Sequence, residues 1–228
     1  MNNIFLRDIL QWDYVNWSLP LHFWDKILSE KEKELKCLEL GSREGGLSLW
    51  LALKGHAVIA SDLIDAETSA KPLHKKYNID KKIVYQDIDA TSIPYENYFD
   101  IIIFKSILGG IGRNDDKEKQ RLVLNQIHKA LKAGGKLLFA ENIRATLLHS
   151  FFRRYFTRWG KEWRYVSVKE LKEFLSDFSK VEIKTTGFTG VFGRTENQKN
   201  LLGKADKHFF NKIIPSSWNY IAFGIATK

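Results

Sequence analysis

The chain has 228 residues, 44% of them hydrophobic, enough to bury a full core in one domain, and Lys and Arg outnumber Asp and Glu 36 to 27. Its only cysteine, Cys37, excludes an intramolecular disulfide and a cysteine-based metal site. No apolar run approaches the roughly 20 residues that span a bilayer, and the first residues lack a basic-then-apolar leader, so a cytoplasmic, metal-free protein is expected.

Residues 1–34 read as an N-terminal helical region, with a helix over about 20–34 that is closed by the charged run Ser29 to Lys36. The segment Cys37 to Leu63 follows. A short apolar strand carrying Glu39 turns through Gly41, Ser42, Arg43, Glu44, Gly45 and Gly46, and continues as an apolar-periodic helix from Leu47 to Lys54. A second strand, His56 to Ser61, ends on Asp62. Strand, glycine turn, helix, strand and acidic residue is the layout of a nucleoside-binding βαβ unit, in which glycines admit close approach of the backbone and the acidic residue accepts from ribose hydroxyls. The spacing does not fit a dinucleotide site, which needs G-x-G-x-x-G, because Arg43 stands at the second glycine. Further strands are expected at Ile83–Gln86, Ile101–Phe104, the stretch leading to Asn142, Val181–Thr186 and Tyr220–Thr227. Gly134-Gly135 fits a left-handed helix C-terminus, and Ser167 with Glu170 forms a capping box for a helix to Phe178.

Glu39, two residues before the first glycine, resembles the first motif of the class I S-adenosylmethionine (SAM) dependent methyltransferases, acidic-x-G-x-G-x-G. The resemblance continues through Asp89, Ala90, Ile93, Pro94, Tyr95, Phe99 and Asp100, the family's D-A-x-x-L-P-F followed by F-D and a fourth strand, and through KALKAGGKLLFAEN at 129–142. It covers about a hundred residues in the right order. It implies an α/β, Rossmann-like seven-stranded sheet, mostly parallel with the last strand antiparallel, helices on both faces, and SAM as cofactor. By this resemblance Glu39, Gly41, Ser42, Gly45, Asp62, Leu63, Asp89, Ala90 and Lys105 are cofactor residues, with Asp87 competing with Asp89 for the adenine amino group. Two departures stand out: Arg43 at the middle glycine, and Gly109-Gly110 where many relatives have a histidine-containing loop. Phe104-Lys105-Ser106-Ile107 replaces the motif of the family's amino-group enzymes, which disfavours exocyclic amines as acceptors.

Two segments lie outside the shared core of a single methyltransferase domain spanning 1–228, and substrate choice usually resides in such additions. Residues 144–165 hold six basic residues and one acidic, interleaved with aromatics, and place Leu148, Phe152, Tyr155, Phe156 and Trp159 on one helix side. Three readings compete: a packing helix with solvated arginines, a lid whose Arg153, Arg154, Arg158 and Trp159 hold an anionic acceptor, or a basic surface resting on an anionic membrane. The second addition, 188–217, separates the last two strands. His149, Tyr155 and His208 are the candidates for a general base. The reaction expected is O-methylation of a small or glycan-linked anionic acceptor. RNA or lipid methylation is the alternative, as is a SAM-binding regulator without turnover. Nucleic acid is the lesser partner, despite the basic charge.

Overall fold

The computed structural model describes residues 3–29, 33–157 and 160–228. Helices α1 (Asn3–Leu10) and α2 (Tyr14–Ser29) precede β1 (Lys36–Leu40), α3 (Gly46–Leu53), β2 (Ala57–Asp62), α4 (Ala66–Lys76) and β3 (Ile83–Asp87). Then come β4 (Phe99–Lys105), the short α5 (Leu108–Ile111), α6 (Lys117–Ala130), β5 (Leu131–Asn142), α7 (Leu147–Phe156) and α8 (Val168–Phe174). Strand β6 (Lys180–Thr186), α9 (Glu196–Ala205), a π-turn at Asp206–Phe210, α10 (Asn211–Ile213) and β7 (Ile221–Thr227) complete the chain.

The seven strands form one sheet in the order β3-β2-β1-β4-β5-β7-β6. Pairs among β1 to β5 are parallel, and β7 is antiparallel to both neighbours. The expected fold is therefore observed. Strand alternation splits the apolar side chains between two cores. Ile101, Ile103 and Leu138 face one core with Trp17, Trp24, Leu49 and Trp50, whereas Ile102, Phe104 and Phe139 face the other with Val123, Ile127, Leu171 and Phe174. Each such buried side chain stabilises the fold by roughly 1.5–3 kcal/mol. The Trp24 indole also donates to the Gly224 carbonyl (3.0 Å), fixing α2 on β7.

Two expectations need correction, and one open reading is resolved. The N-terminal region holds two helices, and the second starts at Tyr14, with Pro20 inside it rather than at its start. Gly134 is not a helix cap: α6 ends at Ala130, and Gly134, at φ +73°, lies in the irregular start of β5, where its N–H donates to the Lys228 carbonyl. On α7 the side turned into the protein carries His149 and Arg153, while Leu148 and Tyr155 face outward. The capping box at Ser167 is present, with Ser167 accepting from the Glu170 amide and Glu170 from the Ser167 amide.

Candidate active site

The glycine turn sits at the carboxyl end of β1, where a parallel sheet opens toward ligands. Three of its residues are left-handed: Gly41 (φ +65°), Arg43 (φ +50°) and Gly45 (φ +77°). A Cβ on Gly45 would lie 2.5 Å from His74 Nε2, which pairs with the Gly45 carbonyl at 2.9 Å, so this position tolerates only glycine. Buried Glu39 braces the turn from beneath. Its carboxylate accepts from the Ser48 amide (2.7 Å) and hydroxyl, tying β1 to the start of α3, and burial raises its pKa to about 7.

Asp62 braces the turn from the side. Its two oxygens accept one amide each, from Arg43 (2.9 Å) and Leu63 (2.8 Å), and keep lone pairs facing the cleft. On the next loop one Asp89 oxygen takes both the Thr91 hydroxyl (2.7 Å) and amide (2.8 Å), which lowers its pKa and leaves the second oxygen open. Asp87 instead spends its carboxylate on the Asp65 and Ala66 amides at the start of α4, and it does not line the cleft. Together Gly41, Arg43, Asp62, Leu63, Ile88, Asp89, Ala90, Lys105, Ser106 and Ile107 line a cleft of about 580 Å³. Ser42 is buried behind it, its amide on the Ser61 carbonyl and its hydroxyl without a protein partner.

The link between α1 and α2 lies over this turn. The Ile9 carbonyl stands so close to Gly46 that a Cβ there would come within 2.0 Å of it. The Arg43 guanidinium packs on Trp12 (5.2 Å), and the Lys105 ammonium lies 3.3 Å from the Trp12 ring centroid while donating to the Leu10 carbonyl. Burial pushes the Lys105 pKa well down.

A second cavity, of about 390 Å³, shares Arg43 and Ser106 with the first. Ser106 is itself left-handed (φ +58°), and its hydroxyl accepts from Asn142 (2.6 Å). Trp12, Trp17, Phe152, Phe156, Trp163 and Tyr165 give it aromatic walls. Gly109 is required by one of those walls, since a Cβ on it would reach within 2.7 Å of the Trp163 ring. Arg153 enters from α7 almost fully buried, donating to the Ile143 carbonyl (2.6 Å) with its guanidinium 4.2 Å from the Tyr165 ring. Asp13 enters from the opposite side. It is 3% exposed, its carboxylate accepts from the Tyr220 hydroxyl, and Asn16 donates in turn to Tyr220 and Asp206 (3.0 Å each). Burial raises the Asp13 carboxyl to about 7, with Glu196 and Asp206 adding to the rise and the Tyr220 hydrogen bond and Lys199 opposing it. An acid half-ionised near neutrality, beside an aromatic cavity, can accept a proton from a bound hydroxyl.

The three base candidates taken from the sequence are not in this cavity. Both His149 ring nitrogens are committed, to the Thr146 hydroxyl (2.7 Å) and the Phe188 carbonyl (2.8 Å), within a stack of Phe188 and Phe192. Tyr155 is 60% exposed against Phe151, and His208 is exposed on the π-turn. Of the arginines proposed to hold an acceptor, Arg153 lines the cavity and Arg154 points to solvent; Arg158 and Trp159 lie outside the described residues. Asp13 was missed. Its signal was present, a lone carboxylate between Trp12 and Tyr14, but its partner Tyr220 is more than two hundred residues away.

Residues 38–139 match the family model described as a methyltransferase domain. No curated protein sequence matches the chain. Among solved structures, the chain is similar to the (4+2) cyclase SpnF, with a TM-score of 0.62 and 16% identity over 93% of this chain and 82% of that one. It is similar to a SAM-dependent methyltransferase from Methanosarcina mazei (TM-score 0.62, 18% identity, 89% of this chain and 96% of that one). It also resembles phosphoethanolamine N-methyltransferase 2 of Haemonchus contortus in complex with S-adenosyl-L-methionine (TM-score 0.64, 20% identity), covering 93% of this chain and 52% of that one. The matched methyltransferase-domain model covers just under half of the chain, and the seven-stranded order with β7 antiparallel is the fold that the chain shares with these structures.

Proposed function

We propose that the chain is a SAM-dependent methyltransferase acting on an oxygen of a small or glycan-linked acceptor that carries negative charge. One observation carries this reading. Two cavities meet at Arg43 and Ser106, and the second presents both a buried guanidinium, Arg153, and a proton acceptor, Asp13. The cleft residues fit SAM. Asp62 keeps lone pairs for two ribose hydroxyls, Asp89 keeps an open oxygen for an amino group, and Leu63, Ile88 and Ile107 offer apolar walls to a base. Arg43 brings a cation to the glycine turn, where a carboxylate would be matched.

Bound SAM supplies an electrophilic methyl group on sulfur. The protein's own work is alignment and proton removal. Aromatic walls exclude water and orient the acceptor, a contribution of roughly 7–11 kcal/mol in favourable cases. Arg153, bonded to the Ile143 and Tyr220 carbonyls and in no ion pair with a carboxylate among the described residues, offers its remaining N–H groups to a carboxylate or phosphate on the acceptor. Asp13 takes the hydroxyl proton as the new oxygen–carbon bond forms and the carbon–sulfur bond breaks, and Tyr220 holds the Asp13 carboxylate in place. The Haemonchus neighbour is named for a phosphorylated acceptor, the charge class that Arg153 would recognise.

The test is turnover. Labelled SAM is incubated with a panel of hydroxylated carboxylates, sugar phosphates and glycans and with their neutral counterparts, and S-adenosylhomocysteine is quantified. Methyl transfer to anionic members, with a preference that Arg153→Gln abolishes, is expected. SAM binding without product across the panel would overturn the enzymatic reading in favour of a regulator, and equal use of neutral acceptors would overturn the anionic one.

A further inference from the structure

Helix α7 is amphipathic the wrong way round for a helix packed on a water-soluble protein. Its inward side carries His149 and Arg153, buried to 0% and 3% exposure. Its outward side carries Leu147, Leu148, Phe151 and Tyr155, exposed by 90%, 57%, 58% and 60%. At 3.6 residues per turn these four fall within an arc of about 100°. The patch does not stop at the helix. Leu147 and Leu148 border a depression of about 640 Å³ together with Phe188 and Trp218, and Trp218 stacks on Phe188 at 6.0 Å. Phe188 also touches Phe210 (5.9 Å), whose segment exposes Phe209 and Ile213 by 69% and 68%.

The exposed charges carried by 144–157 and 200–218 have one sign, although Arg144 at the edge of the depression pairs with Glu170. Arg154 stands beside Leu147 on the helical projection, and Lys204, Lys207 and Lys212 are exposed along the second addition. The single acidic residue in 144–157 and 200–218 is Asp206, which is buried and occupied by Asn16, Thr189 and Gly190. Exposed aromatic and aliphatic side chains rimmed by uncompensated cations complement an anionic bilayer surface, into which such a helix sinks its apolar face while lysines and arginines meet headgroups. A second copy of the chain fits poorly, because a two-fold contact would oppose the same cations. No described helix is long and apolar enough to cross a membrane, so the mode is docking and not insertion.

We propose that the outward face of α7, with Trp218 and the Phe209–Ile213 segment, docks the protein on anionic lipid surfaces. Because Arg153 and Phe152 on the other sides of α7 wall the second cavity, docking brings that cavity within about one helix diameter, roughly 10–12 Å, of the headgroups. The inference stands on surface chemistry and does not require the acceptor assignment above.

The experiment is flotation of the full chain with vesicles of phosphatidylcholine alone and of equal parts phosphatidylcholine and phosphatidylglycerol. Binding to the mixed vesicles, weak binding to the neutral ones, and a loss of at least about tenfold as salt rises through the physiological range are expected. The exposed pair Leu147→Ser with Phe151→Ser, and separately the charge set Arg154→Gln, Lys207→Gln and Lys212→Gln, should each weaken binding about tenfold or more. Unchanged thermal midpoints and S-adenosylhomocysteine affinity would show both variants folded. No binding to the mixed vesicles, or binding that folded variants retain in full, overturns the proposal. So does a wild-type dimer in sedimentation that the Leu147→Ser and Phe151→Ser pair dissociates.

Discussion

Asp13→Asn is the sharpest probe of the proposed chemistry, because it changes a charge without changing a shape. Asp13 sits at φ +44°, a left-handed conformation that Asn tolerates as well as Asp, so the substitution adds no backbone strain. Burial holds the folded carboxyl near 7 against an ordinary value of 3.8, a difference worth a few kcal/mol, on the order of 1.4 kcal/mol for each tenfold change in proton affinity. The sign follows from linkage. A folded pKa above the unfolded one means the native state holds the proton more tightly, so this contribution is fully present below pH about 4 and is lost as pH rises toward about 7. Asn mimics the protonated acid and should remove that slope. Glu39 and Glu141, both also raised to about 7 by burial, keep their own slopes in both proteins and cancel in the difference.

Two assays read the result. Thermal unfolding from pH about 4 to 8 should show the Asn variant gaining on wild type as pH rises, with the difference flattening above about 7. Turnover under saturating SAM should rise with pH through about 7 in wild type, because only the ionised acid accepts a proton, and should fall roughly 10²–10⁴-fold in the variant. Tyr220→Phe removes the hydroxyl that donates to the Asp13 carboxylate, so it should move the rate profile to higher pH rather than abolish it. A variant with wild-type turnover, or a wild-type rate independent of pH across this window, refutes Asp13 as the base. A stability difference without a rate difference would leave Asp13 a buried structural acid.

Asp62→Ala removes the acceptor proposed for ribose and used by the Arg43 amide, bonds to a charged group worth about 1.5–3 kcal/mol each, so calorimetry should show at least about a tenfold loss of SAM affinity. Arg43→Gly relieves a left-handed conformation that costs a non-glycine residue about 1–2 kcal/mol, against a Trp12 contact of about 0.5–1 kcal/mol. Its thermal midpoint should stay level or rise, and a fall in SAM affinity alongside would show that the guanidinium serves the ligand. Arg153→Gln should raise the acceptor KM with SAM affinity intact, whereas Arg154→Gln, exposed and away from the cavity, should leave acceptor kinetics unchanged; equal effects from the two would contradict the assignment.

What could be read from the sequence was what is local. Glu39, the glycines and Asp62 lie within one βαβ unit, so spacing alone brings them together, and the apolar runs of the central strands β1 and β4 declare a parallel sheet buried on both faces. Arg43 looked like a lapse in a glycine motif. Its φ of +50° shows that the backbone still takes the glycine conformation there while the side chain does something a glycine cannot, packing on Trp12 of the N-terminal segment. Helix α7 stayed ambiguous for a related reason. Hydrophobic periodicity identifies an amphipathic helix but not which side faces inward, and here Arg153 and His149 are buried because carbonyls of Ile143 and Phe188 receive their protons.

The second cavity was illegible for a topological reason. Its wall joins residues from 12–17, 43, 106, 142, 152–157, 163–165, 190–199 and 220, segments that meet only because β7 lies between β5 and β6 and returns Tyr220 beside α2. The same insertion between β6 and β7 brings Asp206 to Asn16 and so builds the buried network in which Asp13 stays near neutrality. On the proposed assignment, a fold that keeps its donor cleft within one local unit and assembles its acceptor cavity from distant insertions can change acceptors without disturbing the donor. On that logic the Arg43 and Ser106 boundary, shared by both cavities, is the place where a substitution should alter donor and acceptor handling together.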